Sequence, residues 1–314
     1  MSLAIGVDLG GTKIAAGVVD DAGTIVDQLV APTPKDSSES VIAELAKTIQ
    51  TLASKHKVID VCVAAPGFVD AKRTEVLFTA NLPMRNVKLK TELEKITDLN
   101  VVIENDANAA AWAEFKFGSA IGSQNAVMLT VGTGLGGGLV INGDLVRGEF
   151  GVAAEVGHMT LVQDGLQCGC GLKGCWEQYA SGSALLRTAR KLAQKHRDEA
   201  EILLGLGDRT PEGVEGIHIT QAAEKGCPIA IRSFNEIGKA LGLGMASLAA
   251  LIDPQVFVIG GGVSQGSQYF FDSTAQAFKS NLTARDYRPL AEIKLAKMGN
   301  DAGLIGAADL ARRK

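Results

Sequence analysis

The sequence has few cysteines, few aromatic residues and no block of like charge. Its formal net charge is −4 at pH 7 and no stretch is rich in lysine or arginine, so we expect no nucleic-acid partner. The longest nearly apolar stretch, Ala240–Ile252, is too short to cross a bilayer, and the opening MSLAIGVDLGG has no basic leader of a signal peptide. We therefore expect no membrane partner and a cytoplasmic location, where disulfides are rare.

Glycine is the residue present in excess. It accounts for 37 of 314 residues, about 12%, against an average of roughly 7%. The glycines are clustered, which predicts specialised loops rather than disorder. A chain of this length normally forms two domains, and its hydrophobic content of 46% supplies ample material for packed cores.

Strand and helix patterns along the chain predict an α/β protein. The runs LAIGVD, IAAGVVD and TIVDQLVA are strand-like, and later AVMLTV, GTGLGGG and LVING repeat the arrangement of strand, glycine loop and returning strand. The recurrence indicates two similar α/β halves, or merely two glycine hairpins. Predicted helices are Ser37–Lys55, Leu89–Ile96, Asp106–Phe117, Pro228–Ile252, Tyr269–Lys279 and a last one from Gly303.

Three predicted strands end in glycine-rich loops, at Asp8–Lys13, Gly132–Gly138 and Gly260–Ser264. Successive backbone N–H groups in such loops form a cradle for phosphate oxygens. A tight turn without a ligand explains any one loop equally well. Three of them at strand ends, each with a threonine or serine hydroxyl, favour phosphate binding.

Two familiar phosphate motifs are excluded. Gly132–Gly137 matches the G-x-G-x-x-G dinucleotide fingerprint, but a strand follows where that motif requires a helix. Gly6–Lys13 approaches a P-loop, but it ends in G-T-K where the P-loop has G-K-T, and again a strand follows.

Two aspartates near these loops carry alternative interpretations. Asp106 follows the strand VVI in the stretch ENDANAA. Either Asn105 or Asp106 is a helix N-cap, or the Asp106 carboxylate accepts the proton of a substrate hydroxyl that attacks phosphorus. Asp8 is either a turn residue or a group that holds Mg²⁺ through water.

One histidine and three cysteines lie within 18 positions of each other, at His158, Cys168, Cys170 and Cys175. A Cys₃His set suits tetrahedral zinc, and four protein ligands make that zinc structural. A disulfide is disfavoured by the compartment, and no partner that would activate a nucleophilic cysteine is evident. The spacing is not a common finger spacing, so zinc requires His158 to fold back onto the cysteines.

The residues around this cluster have a second possible role. A zinc-bound histidine usually donates its other ring nitrogen to an outer partner, which for His158 could be a substrate hydroxyl. Glu155 and Glu177 flank the cluster, and paired carboxylates suit the recognition of neighbouring sugar hydroxyls. Solvated surface glutamates are the alternative.

The motifs DLGGTK, ENDANAA, GTGLGGG, EVGH, CGCGLKGCWE and GGGVS, in this order, resemble the ROK family of sugar kinases across the whole chain, and most of all its actinobacterial-type glucokinases. The resemblance implies an α/β, hexokinase/actin-like (ribonuclease H-like) fold of two domains with the active site in the interdomain cleft. A small domain would span residues 1–115 together with a C-terminal helix at about 301–314. A large domain with the zinc loop would span 116–300.

The resemblance also implies roles for individual residues. Asp106 is then the catalytic base that takes the proton of a sugar 6-hydroxyl, and Asp8 lies near Mg²⁺. The sugar contacts are Gly67, Asn81, Asn105, Asp106, Glu155, His158 and Glu177. The ATP and phosphate contacts are Gly10, Gly11, Thr12, Lys13, Thr133, Gly134, Gly261 and Gly262. The structural Zn²⁺ is held by His158, Cys168, Cys170 and Cys175.

The implied reaction is MgATP-dependent phosphorylation of glucose to glucose 6-phosphate and ADP. Mannose, fructose, N-acetylglucosamine or N-acetylmannosamine as the sugar, and polyphosphate as the donor, remain open. A noncatalytic ROK regulator is disfavoured because no helix-turn-helix precedes Asp8 and no basic patch is present. The partners are then ATP and a hexose, and we expect a homodimer or homotetramer. Gln194–Ile217 matches no motif.

Overall fold

The structure is a computed structural model that describes residues 2–313. Its contacts divide the chain into two compact units. The first unit contains the residues up to Met128, Gly137–Ala154 and the residues from Ala296 onward. The second contains Leu129–Gly136 and Glu155–Leu295. These limits differ from those of the predicted domains, 1–115 and 116–300, which remain a prediction.

The first unit is built on a mixed five-stranded sheet with the order β3-β2-β1-β4-β8. The pairs β1–β2 and β2–β3 are antiparallel, whereas β1–β4 and β4–β8 are parallel. Three short strands, β5 to β7, form a separate antiparallel sheet. The strands are β1 (Ala4–Leu9), β2 (Lys13–Val19), β3 (Ile25–Pro32), β4 (Asp60–Ala65), β5 (Phe68–Val69), β6 (Val76–Phe78), β7 (Arg85–Val87) and β8 (Asn100–Asn105).

Four helices complete the first unit: α1 (Ser38–Ala53), α2 (Leu89–Thr97), α3 (Asp106–Phe117) and α9 (Ala302–Ala311). The Ser37 side chain accepts a hydrogen bond from the Ser40 N–H and so caps α1. The buried stripe Val41, Leu45 and Ile49 of α1 joins the core formed by the sheet strands. The predicted helices at Ser37–Lys55, Leu89–Ile96, Asp106–Phe117 and from Gly303 are therefore confirmed, the third with both bounds.

The last helix, α9, packs with its backbone against β1 and α3. A Cβ added at Gly6 of β1 would lie 1.9 Å from the Leu304 carbonyl oxygen. A Cβ added at Gly306 would lie 1.8 Å from the Ala109 carbonyl oxygen. Because real Cβ atoms do not approach that closely, only glycine permits these contacts. The C-terminal segment is therefore an integral part of the first unit.

A second mixed set of strands repeats the first arrangement. Its order is β11-β10-β9-β12-β13. When the strands of each sheet are numbered in chain order, both sheets have the same spatial order, 3-2-1-4-5. The strands are β9 (Ala126–Val131), β10 (Leu135–Ile141), β11 (Asp144–Leu145), β12 (Val256–Gly260) and β13 (Glu292–Leu295). Strands, not helices, follow Gly10–Thr12 and Gly132–Gly134, which confirms the exclusion of the P-loop and the dinucleotide fingerprint.

The helices of the second unit are α4 (Gly182–Lys195), α5 (Glu201–Leu206), α6 (Gly216–Glu224), α7 (Pro228–Ile252) and α8 (Phe271–Asn281). Helix α7 has both predicted bounds, since Pro228 starts it and Asp253 ends it in the left-handed region. Helix α8 begins two residues later than predicted, because Gly262–Tyr269 forms a 3₁₀ helix before it. Sequence patterns did not predict α4, α5 and α6.

Other short 3₁₀ helices are Val156–His158, Trp176–Gln178, Asp198–Ala200 and Gly299–Asp301. Among residues 2–313, no helix combines the length and the apolar character needed to cross a bilayer.

Candidate functional site

The candidate residues form two groups, one in each compact unit. The group in the first unit lies at one edge of its sheet, where the carboxyl ends of the parallel strands β1, β4 and β8 meet. The strand register pairs Asp8 with Ala64 and Ala64 with Glu104. Residues at or just after the ends of these strands are thereby brought to the same edge, as is typical of ligand sites in such sheets: Asp8, Gly67, Asn105 and Asp106.

The structure at the junction of β8 and α3 shows which of Asn105 and Asp106 is the helix N-cap. Asn105 is the N-cap, because its Oδ1 accepts a hydrogen bond from the Asn108 N–H at 2.9 Å. Its Nδ2 donates to the Gly67 carbonyl oxygen at 3.0 Å. Asp106 is the first helical residue, and its Oδ1 accepts from the Ala107 N–H at 2.8 Å. Capping therefore explains Asn105 and does not explain Asp106, whose negative charge is stabilised by the helix N-terminus.

The loop between β1 and β2 carries the predicted phosphate contacts of the first unit. The Gly10 N–H donates to the Lys13 carbonyl oxygen at 2.9 Å, and the Thr33 hydroxyl donates to the Gly10 carbonyl oxygen at 2.7 Å. Gly11 lies beside Asn81, since a Cβ at Gly11 would be 3.7 Å from the Asn81 Cβ. The loop is thus a closed turn held from outside by Thr33.

Asp8 lies beneath this loop. Burial raises the pKa of its carboxyl group, and the nearby charge of Lys13 partly offsets this effect. A Cβ at Gly303 would lie 3.2 Å from Asp8 Oδ2, so the absence of a side chain there leaves room for the carboxylate at the start of α9. A desolvated carboxylate of this kind favours binding of a cation, which would restore its charge balance.

The group in the second unit surrounds two cavities beside its glycine loops. The larger cavity, about 570 Å³, is lined by Gly132 and Thr133 of one loop and Gly262 of the other. Its remaining walls are mostly apolar and carry no charged side chain: Gly182, Ser183, Leu185, Leu186, Gly216, Ile217, Thr220, Phe234, Val263 and Gln265. Phosphate-type loops beside an apolar cavity suit a ligand with an anionic part and a flat, uncharged part.

Hydrogen bonds hold the first of the loops that line this cavity, and close backbone packing constrains the second. The Gly182 N–H donates to the Gly132 carbonyl oxygen at 2.7 Å, and the Ser183 hydroxyl donates to the Thr133 carbonyl oxygen at 2.8 Å. Gly261 has φ +88°, and a Cβ there would lie 2.6 Å from the Val131 carbonyl oxygen, so this position requires glycine. These contacts stabilise the conformations of both loops.

The four predicted zinc ligands converge. Their ligand atoms all lie within 4.8 Å of one another, with Cys170 Sγ 3.5 Å from Cys175 Sγ and Cys168 Sγ 3.8 Å from His158 Nδ1. Ligands at the zinc bond lengths of about 2.0–2.3 Å in a tetrahedron are separated by similar distances. The residues therefore fit a zinc ion, and His158 does fold back onto the cysteines.

The structure favours zinc over the two competing interpretations of this cluster. All five cysteines are free, and the 3.5 Å separation of Cys170 and Cys175 is far longer than a disulfide bond. Burial raises the pKa of the Cys168 thiol to about 12, which is the opposite of what a nucleophilic cysteine needs. A hydrogen bond from the Leu172 backbone lowers the pKa of Cys170, as suits a thiolate ligand.

Glu177 connects the thiol cluster to a glycine loop. The Cys168 thiol donates to Glu177 Oε1 at 3.0 Å, and Glu177 Oε2 lies 2.7 Å from where a Cβ of Gly134 would be. Glu177 also lines the smaller cavity, about 290 Å³, with Gly132, Gly134 and Gly261. Burial raises the pKa of the Glu155 carboxyl group. Both glutamates are therefore partly buried at the site and not solvated surface residues.

Sequence patterns missed the walls of the larger cavity. Ile217 and Thr220 lie on α6, and Leu185 and Leu186 on α4, in or near the stretch that matched no motif. Ile217 is 54% exposed and forms part of the cavity wall. Apolar residues at helical spacing carry no signal that separates a cavity wall from a core.

Comparison with known proteins gives one consistent result. Residues 4–314 match the ROK family. The chain is 48% identical to a glucokinase of Streptomyces coelicolor, over 99% of this chain and 98% of that protein. It is 32% identical to an N-acetylmannosamine kinase of Yersinia pseudotuberculosis, over 99% of each.

A solved structure is equally similar. The chain superposes with a TM-score of 0.90 and 47% identity, over the full length of both chains, on a ROK family glucokinase from Streptomyces griseus in complex with glucose and AMPPNP. The predicted hexokinase/actin-like α/β fold is thereby confirmed. Site motifs, fold and whole-length similarity lead to the same conclusion: the chain belongs to the ROK family.

Proposed function

We propose that this protein is a glucokinase that transfers the γ-phosphoryl group of MgATP to the 6-hydroxyl of glucose. The observation that carries the proposal is the match, over the full length of both chains, with a glucokinase in complex with glucose and AMPPNP. The similarity to the Streptomyces coelicolor enzyme supports the same sugar. The products are glucose 6-phosphate and ADP.

Asp106 is the proposed base. As the sugar oxygen forms its bond to phosphorus, the bond between phosphorus and the β,γ-bridging oxygen breaks, ADP leaves, and the hydroxyl proton passes to the Asp106 carboxylate. The position of Asp106 as first residue of α3 supports this role, because the helix N-terminus favours the charged carboxylate that must accept the proton.

The remaining assignments follow the family motifs. Gly67, Asn81 and Asn105 of the first unit, and Glu155, His158 and Glu177 of the second, are proposed to bind the other sugar hydroxyls. Carboxylates accept hydrogen bonds from hydroxyls, and the Glu155 carboxyl is desolvated enough for those bonds to be strong. His158 presents Nδ1 to the thiols, which leaves Nε2 as the ring nitrogen for a hydroxyl.

The glycine loops are proposed to hold the nucleotide. Gly10, Gly11, Thr12 and Lys13 face the phosphates in the first unit. Thr133, Gly134, Gly261 and Gly262 do so in the second, with the 570 Å³ cavity for the base. Asp8 is proposed to lie near Mg²⁺, which neutralises phosphate charge when bound.

The Cys₃His cluster is proposed to hold one structural Zn²⁺. With four protein ligands the ion has no open position and stabilises the fold rather than activating water. In this chain the cluster orients His158 and holds the segment that carries Glu177. The predicted homodimer or homotetramer and the cytoplasmic location also remain predictions.

A second sugar has its own support. The 32% identity over 99% of the chain to an N-acetylmannosamine kinase makes N-acetylmannosamine the next candidate acceptor. The mechanism would be unchanged, because the 6-hydroxyl is present in both sugars.

Coupled ADP release with MgATP tests the proposed reaction. We expect turnover to be highest with glucose in a panel that includes mannose, fructose, N-acetylglucosamine and N-acetylmannosamine. Turnover led by another sugar would contradict the glucose assignment but keep the kinase. An absence of ADP with every sugar would contradict the kinase with ATP as donor, and polyphosphate would then be tried.

Replacement of the proposed base tests the mechanism. Asp106→Ala removes the proton acceptor, so kcat should fall by about 10²–10⁴-fold while calorimetry still detects glucose binding. Asp272→Ala is the matched control, since Asp272 is also an acidic residue in the first turn of a helix and has no proposed role. Near-normal turnover of the Asp106 variant would rule out its assignment as base.

Metal analysis tests the zinc site. We expect about one Zn²⁺ per chain in the purified protein, and a loss of zinc with a lower melting temperature in Cys175→Ser. Cys227→Ser is the control, because Cys227 is buried in the same unit but lies outside the cluster. Active protein that contains no zinc would contradict the structural role.

A further inference from the structure

A buried carboxylate directly precedes the proposed sugar and base residues. Glu104 is the second-to-last residue of β8, immediately before Asn105 and Asp106, and it is only 2% exposed. None of the roles proposed above involves Glu104. A buried carboxylate is costly unless charged partners and hydrogen bonds compensate it, so its surroundings indicate what it does.

The hydrogen-bond and ion-pair partners of this carboxylate are all donors. Oε1 accepts from the Asn105 N–H at 3.1 Å and from Asn108 Nδ2 at 3.1 Å. Oε2 accepts from Arg147 through Nε and Nη2, each at 2.7 Å. Arg73 Nε adds an ion pair at 3.4 Å. One carboxylate thus joins three neighbouring segments of the first unit.

The contacts of Glu104 close a ring around Asn105. The Asn105 N–H is bound to Glu104, its Oδ1 to the Asn108 N–H, and its Nδ2 to the Gly67 carbonyl oxygen. The amide of Asn108 returns to Glu104 Oε1. Hydrogen bonds therefore hold both the main chain and the side chain of the cap residue Asn105. They fix the direction in which the chain continues from β8 to Asp106.

The arginines anchor the same point to distant parts of the chain. Arg73 also donates from Nη2 to the Leu310 carbonyl oxygen and from Nη1 to the Arg313 carbonyl oxygen, each at 3.3 Å. Leu310 lies in the last turn of α9 and Arg313 follows the helix end, where a cation is favourable. Arg147 lies in the segment after β11, and its carbonyl oxygen accepts a hydrogen bond from the Ala153 N–H.

We propose that Glu104 is a positioning residue that holds Asn105 and Asp106 in their reactive geometry. The inference rests on the proposed function, since that function places the reaction at the junction of β8 and α3. It goes beyond a stabilising role, because the bonds of Glu104 end on the backbone of Asn105 and on the first turn of α3. A displacement of about 1 Å at a reacting group lowers turnover by on the order of 10²-fold.

Glu104→Gln is the informative change. An amide of the same shape has one acceptor oxygen and one NH₂ group. Whichever way it is turned, the NH₂ group faces either Arg147 or the Asn105 and Asn108 donors. The junction must therefore shift or lose its bonds, although almost no volume changes.

Helix α3 supplies a matched control at its other end. Glu114 is 1% exposed, and its hydrogen-bond partners are also donors. Its Oε2 accepts from the Ser119 N–H at 2.8 Å, and its Oε1 accepts from the N–H groups of Lys297 at 2.8 Å and Met298 at 2.7 Å. Glu114→Gln therefore also turns an NH₂ group toward donors, in the same helix and eight residues after Asp106.

The test compares kcat, KM and melting temperature of the full-length variants. We expect Glu104→Gln to lower kcat with glucose by on the order of 10²-fold and Glu114→Gln to keep it within about threefold, although both lower the melting temperature. Glu104→Asp, which keeps an acceptor-only carboxylate, should recover part of the loss. Equal losses of kcat in the two Gln variants, or a kcat of Glu104→Gln within about threefold of the parent protein, would overturn the proposal.

Hydrogen–deuterium exchange separates this proposal from the proposed function. We expect faster exchange of amides 105–109 in Glu104→Gln and unchanged exchange there in Glu114→Gln. Unaltered exchange at 105–109 would overturn the positioning role even if the parent protein phosphorylated no sugar. If the parent protein shows no turnover but Glu104→Gln shows faster exchange, only the proposed glucokinase activity is refuted. If Glu104→Gln does not fold, Glu104→Asp and Glu114→Asp give the same comparison.

Discussion

Two buried glutamates, one just before α3 and one near its end, impose the constraint on which the first unit depends. A carboxylate out of water must be surrounded by donors, and Glu104 and Glu114 collect theirs from segments far apart in the sequence: Arg73, Arg147 and the backbone at Lys297 and Met298. These bonds fix α3 at both ends. Helix α9 then packs on α3 and β1 through Gly306 and Gly6, and Asp8 at the end of β1 lies at the start of that helix. The edge that carries Asp8, Asn105 and Asp106 is thus held from several directions.

In the second unit, thiols and glycine-rich loops position the candidate site residues. Its loops at Gly132–Gly134 and Gly261–Gly262 lie beside an apolar cavity, and Glu177 contacts both Cys168 and the first of these loops. A shift of the thiol cluster would therefore move a carboxylate that borders the phosphate-type loop. This contact gives a physical reason why a structural metal would matter to a group that binds a ligand, even though the metal takes no part in the chemistry.

Sequence patterns predicted the parts whose signal is local. Pro228 and a cap at Asn105 or Asp106 marked helix starts, the strand pattern after Gly132 excluded the dinucleotide fingerprint, and four ligand-type residues indicated the Cys₃His cluster. The structure confirms the helix starts and the strand, assigns the cap to Asn105, and brings the four residues of the cluster together. The cavity walls on α4 and α6 could not be predicted, because Ile217 and Leu185 have the spacing of ordinary core residues. Nor could the burial of Glu104, because a glutamate at a strand end is usually solvated, and its partners Arg73 and Arg147 are 31 and 43 positions away.

The position of the phosphoryl group on the product tests the central claim most directly. Glucose and MgATP would be incubated with the protein and the sugar phosphate examined by two-dimensional ¹H–³¹P NMR, which correlates phosphorus with the protons on the carbon that bears it. The expected result is a single correlation to the two C6 protons, as proton removal from the 6-hydroxyl by Asp106 requires. A correlation to the C1 proton, or to any other ring proton, would contradict the proposed geometry of sugar and base.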